Sequence, residues 1–134
     1  MAGLYEELAA LHDYDPAIAA LWTKTAREEI NHAAQFSLLI ETMSGTVSAA
    51  LVDPASLDRV RRAIENTVEE YHLHPPPVRD AMVAAIDFEE SMHSLHADQI
   101  LVFANPLSKR LVHAMMAADR GHIAAIRTAL SKLG

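Results

Sequence analysis

The placement of helix-breaking residues restricts the fold of this chain more than any other feature of its sequence. Six prolines and four glycines are present, and the prolines stand at four places, each beside a stretch with helical periodicity. Within those stretches apolar residues recur every three or four positions, and almost nothing shows the alternation of a strand. The sequence therefore predicts an all-α fold.

The breakers divide the chain into two helical hairpins. Asp15 can cap a helix that begins at Pro16, and Asn105 can cap one that begins at Pro106. A long crossover containing a short amphipathic helix joins the two hairpins. The predicted helices cover about residues 2–13, 16–43, 55–72, 77–104 and 107–132.

Three of the predicted helices carry acidic and histidine residues on the apolar stripe that should face inward. These are Glu29 and His32, then Glu89, and finally Asp119 and His122. Residues three apart face the same way on a helix, so one turn offers a carboxylate oxygen and an imidazole nitrogen to one ion. No Lys or Arg lies on the same stripes, so metal cations would supply the missing charge.

The two hairpins repeat one another. A shift of 90 positions places Asp15-Pro16 on Asn105-Pro106, Glu29 on Asp119 and His32 on His122. Two related hairpins joined by a long crossover form the connectivity of ferritin-like four-helix bundles, whose di-metal sites combine carboxylates with Glu-x-x-His turns. The expected fold is such a bundle, formed by one domain over residues 1–134.

Taken singly, each of these residues has another interpretation. A lone histidine on an apolar face is more often a hydrogen-bonded core residue, and a lone buried glutamate usually pairs with Lys or Arg. His72 and His74 are expected to be solvated in the loop at the proline-rich break, and His12 and His113 to lie near the helical surface. None of these four is assigned a role.

Glu90, His93 and His96 are secondary candidates for the metal site. The two histidines extend the Glu89 face by one and two turns. They stay open as ligands, as supports of the ligands, or as packing residues.

Composition excludes several classes of function. The net charge is −7 and the only short basic cluster is Arg59, Arg61 and Arg62, which disfavours nucleic acid as a partner. The absence of cysteine excludes thiolate zinc and cysteine-ligated iron–sulfur sites within this chain. No apolar run reaches the roughly 18 to 20 residues that a bilayer crossing needs, so a cytoplasmic protein without membrane contact is expected.

The sequence resembles the rubrerythrin branch of the ferritin-like superfamily over nearly its whole length. "LWTKTAREEINHA" is similar to that family's second-helix signature, "AIDFEESM" to its third-helix carboxylate region, and "MMAADRGHI" to its fourth-helix Glu-x-x-His. The resemblance implies iron that reacts in its ferrous form with oxygen or peroxide, as in an oxidoreductase of the peroxidase or ferroxidase type. Since a rubredoxin-type centre needs four cysteines, the electron donor would be external.

The resemblance also implies a role for each ligand. Glu29 and Asp119 would bridge two ions, His32 would bind one and His122 the other, and Glu89 would be a terminal carboxylate on the His122 side. The resemblance implies one or two iron ions, and other divalent metals are compatible with these donors.

One departure from the family pattern concerns the first helix. Glu29 lies about 21 Å along its helix from Asp15, so its partner across the hairpin would be near residue 1, where no carboxylate is present. Glu6 and Glu7 lie about 8 to 9 Å below that level and are expected on a solvated or flanking face. Asp119, one methylene shorter than Glu, adds to the asymmetry.

Two classes of function follow from the sequence. The first is a redox or iron-handling protein with a dinuclear or incomplete centre. The second is a ferritin-like bundle without catalysis that acts as an assembly or binding module. A homo-oligomer, with a dimer favoured, is expected because Leu4, Leu8, Leu11 and Leu57 on short helices would leave apolar surface uncovered.

Overall fold

The computed structural model describes residues 1–42, 54–98 and 106–134, and within these ranges every element of regular structure is an α-helix. The all-α prediction is confirmed for these residues. The predicted helix end over 99–104 and the cap at Asn105 lie outside them. The helices are α1 (Ala2–Leu11), α2 (Pro16–Thr42), α3 (Pro54–Leu73), α4 (Val78–Asp98) and α5 (Pro106–Lys132).

The junction between α1 and α2 follows the predicted capping chemistry. Asp15 Oδ1 accepts hydrogen bonds from the backbone N–H groups of Ala17 at 3.0 Å and Ile18 at 3.2 Å. Pro16 occupies the first helical position, where its missing N–H removes no helical bond. The cap therefore fixes where α2 begins and, with it, the height of every side chain along the helix.

The packing of the helices places α2 beside α5. α1 packs against α2, α4 packs against α5, and α3 lies against both α1 and α4. The core between them is formed by apolar residues from four helices. Its buried members are Leu4, Tyr5, Leu8, Ile18, Trp22, Ala26, Ala81, Met82, Ala85, Ile86, Ile123 and Ile126.

The length of α1 divides α2 into a covered and an uncovered part. Tyr5 stacks on Trp22 with ring centroids 5.7 Å apart. The N-terminus of α1 lies only about one turn before Tyr5, so α2 continues past the end of α1. Ala26 is still buried, whereas Ile30 is 49% exposed and Leu38 is 61% exposed. The turn that carries Glu29 and His32 lies at this boundary.

Two surface expectations were wrong. Leu4 and Leu8 are fully buried in the core, so they do not provide an uncovered apolar face; Leu57 does remain 40% exposed. His12 is buried, because its Nδ1 lies 2.9 Å from the carbonyl oxygen of Leu8 and its Nε2 3.2 Å from that of Pro76. Its ring thereby connects the end of α1 to the proline-rich segment before α4.

Within the described ranges, no helix combines the length and the apolar character that a bilayer crossing requires.

Candidate metal centre

The two repeat-related turns meet between α2 and α5. Glu29 and His32 project from one turn of α2, and Asp119 and His122 project from one turn of α5. One potential ligand atom from each of the four lies within 4.8 Å of the others. The packing of these two helices thus brings together four of the five predicted ligands.

Each imidazole of this group faces a carboxylate through its Nδ1 atom. His32 Nδ1 lies 3.4 Å from Asp119 Oδ1 and 3.8 Å from Glu29 Oε1. His122 Nδ1 lies 3.2 Å from the same Glu29 oxygen. The two rings are stacked, with centroids 5.4 Å apart and planes inclined by 23°. Glu29 therefore lies between the two histidines.

These distances fit a cation held among the four side chains. Metal–ligand bonds of about 2.1 Å in a tetrahedral arrangement separate neighbouring ligand atoms by about 3.4 Å. Within the described ranges, the buried Nδ1 atoms of His32 and His122 have carboxylate oxygens close by but form no hydrogen bond of good geometry, an arrangement that is unfavourable for a polar atom unless something else binds it. A metal ion bound to both nitrogens would satisfy them.

Glu89, the fifth predicted ligand, lies just beside this group. It is 2% exposed, and its Oε1 is 3.7 Å from His122 Nδ1. The Tyr5 hydroxyl donates a 2.5 Å hydrogen bond to the same oxygen. Burial raises the pKa of Tyr5, and the negative charge of Glu89 raises it further, so the phenol keeps its proton and remains a donor.

Tyr5 is the residue of α1 whose side chain reaches this region. Sequence reasoning did not include it, because its aromatic ring fits an ordinary core position. Glu6 is exposed, and Glu7 pairs on the outside with His72, whose Nδ1 is 3.0 Å from Glu7 Oε1. His72 itself is in the last turn of α3 rather than in a loop.

Glu28 is a second residue that the sequence reasoning missed. Its Oε2 lies 3.0 Å from His122 Nε2, on the opposite side of the ring from Glu29 and Glu89. The pair "EE" at 28–29 gave a signal, but Glu28 lies one position off the inward stripe. Only the approach of α5 shows that it points toward a histidine.

The electrostatics of His122 reflect these neighbours. Burial lowers the pKa of this imidazole, but the carboxylates of Glu29 and Glu89 outweigh burial and raise the pKa to about 10. In the metal-free protein the ring is therefore an imidazolium at neutral pH. A metal ion at Nδ1 would take the place of that proton.

Comparison of the chain with protein-family models, curated proteins and solved structures found no match.

Of the secondary candidates, Glu90 and His93 do not join the four-residue group. Glu90 lies on the surface and forms an ion pair with Arg127 on α5, so its carboxylate is directed away from the centre. His93 is partly exposed, and its buried Nδ1 has no hydrogen bond with any described residue. The side chain of His96 lies outside the described residues.

The donor set defines what this centre can bind. Imidazole nitrogens with carboxylate oxygens suit borderline divalent ions such as iron, zinc and manganese better than calcium or magnesium. Among the described residues, Glu29 and Glu89 form ion pairs with histidine only. The centre thus has an excess of negative charge that a divalent cation would balance.

Proposed function

We propose that this chain is a ferritin-like metal protein of the rubrerythrin type that binds iron and oxidises it with peroxide or oxygen. The observation that carries the proposal is the meeting of two repeat-related turns, Glu29 with His32 and Asp119 with His122. Both Nδ1 atoms are buried and lack a hydrogen bond of good geometry within the part of the chain that the structure describes. A single buried histidine has many explanations, but two equivalent turns facing each other have few.

Each side chain has a role in this proposal. Glu29 would bind between the two histidines, Asp119 would bind beside His32, and Glu89 would complete the ligand set of His122. Iron would supply the electrons for reduction of the oxidant. Tyr5 would keep the Glu89 carboxylate oriented by its hydrogen bond, and its ring is itself held by the stack with the fully buried Trp22.

The compact geometry favours one well-held ion. Four ligand atoms within 4.8 Å of one another are enough to surround one ion. A second ion, about 3.5 to 4 Å from the first, would have to share these few ligands with it. As the chain has no cysteine to hold an iron–sulfur centre, the electrons that restore ferrous iron would come from an external donor.

Metal content and peroxide consumption test the proposal together. Protein expressed in iron-supplemented medium should contain about one iron per chain, and the reduced iron form should consume peroxide. The double variant His32→Ala/His122→Ala should lose both properties, while Glu90→Gln, a surface change on α4, should keep them. Wild-type protein that remains free of metal after anaerobic ferrous loading would overturn the proposal.

One observation favours a second function, a bundle that retains the fold without catalysis and serves as an assembly or binding module. The first-helix position holds the Tyr5 hydroxyl rather than a carboxylate, and that hydroxyl occupies a Glu89 oxygen. The same assay distinguishes the two functions. Protein that binds iron but consumes no peroxide supports the module.

Self-association is part of the proposal, with a dimer favoured. Ile30 and Leu38 lie on the uncovered part of α2, and together with Leu57 they leave apolar side chains exposed. Sedimentation at micromolar concentration should show a dimer, and a monomer under those conditions would remove this part of the proposal.

A further inference from the structure

The two nitrogens of His122 have different neighbours. Nδ1 is directed toward Glu29 and Glu89, while Nε2 lies 3.0 Å from Glu28 Oε2. A neutral imidazole has one N–H and one lone pair. If Nδ1 is to bind an ion, the proton must be on Nε2, and the acceptor that faces Nε2 decides whether this tautomer is stable.

We propose that Glu28 is a positioning residue of the metal centre, which accepts the Nε2–H of His122 and directs the Nδ1 lone pair toward the ion. This inference rests on the proposed function, because it assumes that the centre binds metal. Histidine ligands commonly donate their second N–H to a carboxylate, and loss of that carboxylate typically costs about 10- to 100-fold in metal affinity.

The contacts of Glu28 on its own helix support this role. Its other oxygen, Oε1, lies 3.7 Å from Lys24 Nζ one turn earlier, and the Lys24 side chain is 71% exposed. Such an exposed pair contributes little by itself. The contact with His122 is different, since that ring is 4% exposed and its Nε2 lies at hydrogen-bond distance. Glu28 therefore reaches from the rim of the site inward.

The internal repeat shows that this feature belongs to one half of the site. The 90-residue shift that places Glu29 on Asp119 places Glu28 on Ala118. The alanine side chain has no acceptor to hold the ring of His32 from behind, and the carboxylate contacts that His32 makes with described residues involve its Nδ1. The positioning role assigned to Glu28 therefore distinguishes His122 from His32.

Cobalt(II) titration of the full chain tests the positioning role. Glu28→Ala should bind Co(II) about 10- to 100-fold more weakly than wild type. Glu28→Gln, whose amide oxygen can still accept the N–H, should recover most of this loss. Glu90→Gln removes a carboxylate of similar exposure that is paired outside the centre, so it should bind Co(II) as wild type does.

Two measurements separate positioning from a general structural effect. Nitrogen NMR of the Zn(II)-loaded protein should show a slowly exchanging Nε2–H on His122 that is lost in Glu28→Ala and kept in Glu28→Gln. Thermal unfolding of the metal-free variants should show that both remain folded at the temperature of the titration. A larger affinity loss in Glu28→Gln than in Glu28→Ala would overturn the proposal.

The binding data distinguish failure of the proposed function from failure of the role of Glu28. Wild-type protein that binds neither Co(II) nor Zn(II) overturns the proposed function and the positioning role with it. Wild-type protein that binds both ions while Glu28→Ala binds them equally well overturns only the role of Glu28.

Discussion

The His32 half and the His122 half of the centre come from equivalent turns but have unequal surroundings. His122 is 4% exposed and lies close to Glu28, Glu29 and Glu89. The His32 side chain is 18% exposed and has Glu29 and Asp119 beside one nitrogen. The repeat supplies each helix with a carboxylate and an imidazole, whereas the neighbouring helices determine how well each imidazole is held.

The difference shows that a repeat in the sequence need not produce a symmetric site. Glu89 on α4 supports His122, and Tyr5 on α1 donates its hydrogen bond to that same carboxylate. Glu28 supports His122 from behind, and its counterpart is Ala118. Both asymmetries favour the same half, so the two histidines are expected to respond differently to the same change.

The largest expected effect is the loss of metal in His122→Ala. This variant should reduce Co(II) affinity by about 100-fold or more, because the ion loses the best-positioned nitrogen and buried carboxylates are left without a partner. His32→Ala should reduce the affinity about tenfold less than His122→Ala does, since no described carboxylate contacts its ring in the way that Glu28 contacts His122. Equal losses in the two variants, measured by titration, would contradict the proposed inequality of the halves.

The next effect is a pH dependence of the metal-free protein. The folded-state pKa of His122 is about 10, above its ordinary value of 6.5. The stabilisation from its charge is therefore fully present below about pH 6.5 and is lost as the pH rises through 10, on the order of a few kcal/mol in unfolding free energy. Chemical denaturation at pH 6, 8 and 10 measures this loss.

Two variants test whether His122 causes that pH dependence. His122→Gln should flatten the decline between pH 6.5 and 10, whereas His113→Gln, a change at an exposed position on the same helix, should leave it as in wild type. An unchanged decline in His122→Gln would show that another group is responsible.

A smaller effect is expected for Tyr5→Phe. Removing the hydroxyl leaves the buried Glu89 oxygen without its donor, which should cost about 1 to 3 kcal/mol in the stability of the metal-free protein. Bound Zn(II) should shrink the difference from wild type, because the ion gives Glu89 a new partner. Tyr14→Phe, at a residue 70% exposed, is the control and should be neutral in denaturant titrations.

The smallest effect is a gain in Ala118→Glu, which installs at the His32 half the residue that the repeat has at position 28. If its carboxylate accepts the Nε2–H of His32, Co(II) affinity should rise several-fold, less than the loss in Glu28→Ala. Unchanged or weaker binding, with unchanged thermal unfolding, would show that the repeat does not place residue 118 behind His32.

The sequence predicted the helices and the four central side chains because both depend on local patterns. Proline positions and Asp15 determine where α2 begins, and three-residue spacing places Glu29 and His32 on one face. The same reasoning applied on α5 to Asp119 and His122. These predictions required no knowledge of how the helices pack, beyond the repeat that relates the hairpins.

The remainder depends on contacts between helices, which periodicity does not specify. Tyr5 and Trp22 are ordinary core residues in sequence, yet their stack brings the phenol to Glu89. Glu28 is indistinguishable from a solvated glutamate until α5 approaches it. His12 was expected at the surface. It is buried because the segment before α4 packs beside it and places the carbonyl oxygen of Pro76 at hydrogen-bond distance from its ring.

The stack of Trp22 on Tyr5 also provides a natural optical probe. Trp22 is the single tryptophan of the chain, it is fully buried, and its indole N–H finds no hydrogen-bond acceptor among the described residues. Its fluorescence should therefore be emitted at short wavelength, as from an indole in an apolar solvent. Because the stacked phenol of Tyr5 is hydrogen-bonded to Glu89, an ion that enters or leaves beside that carboxylate should change the fluorescence of Trp22 without any added label.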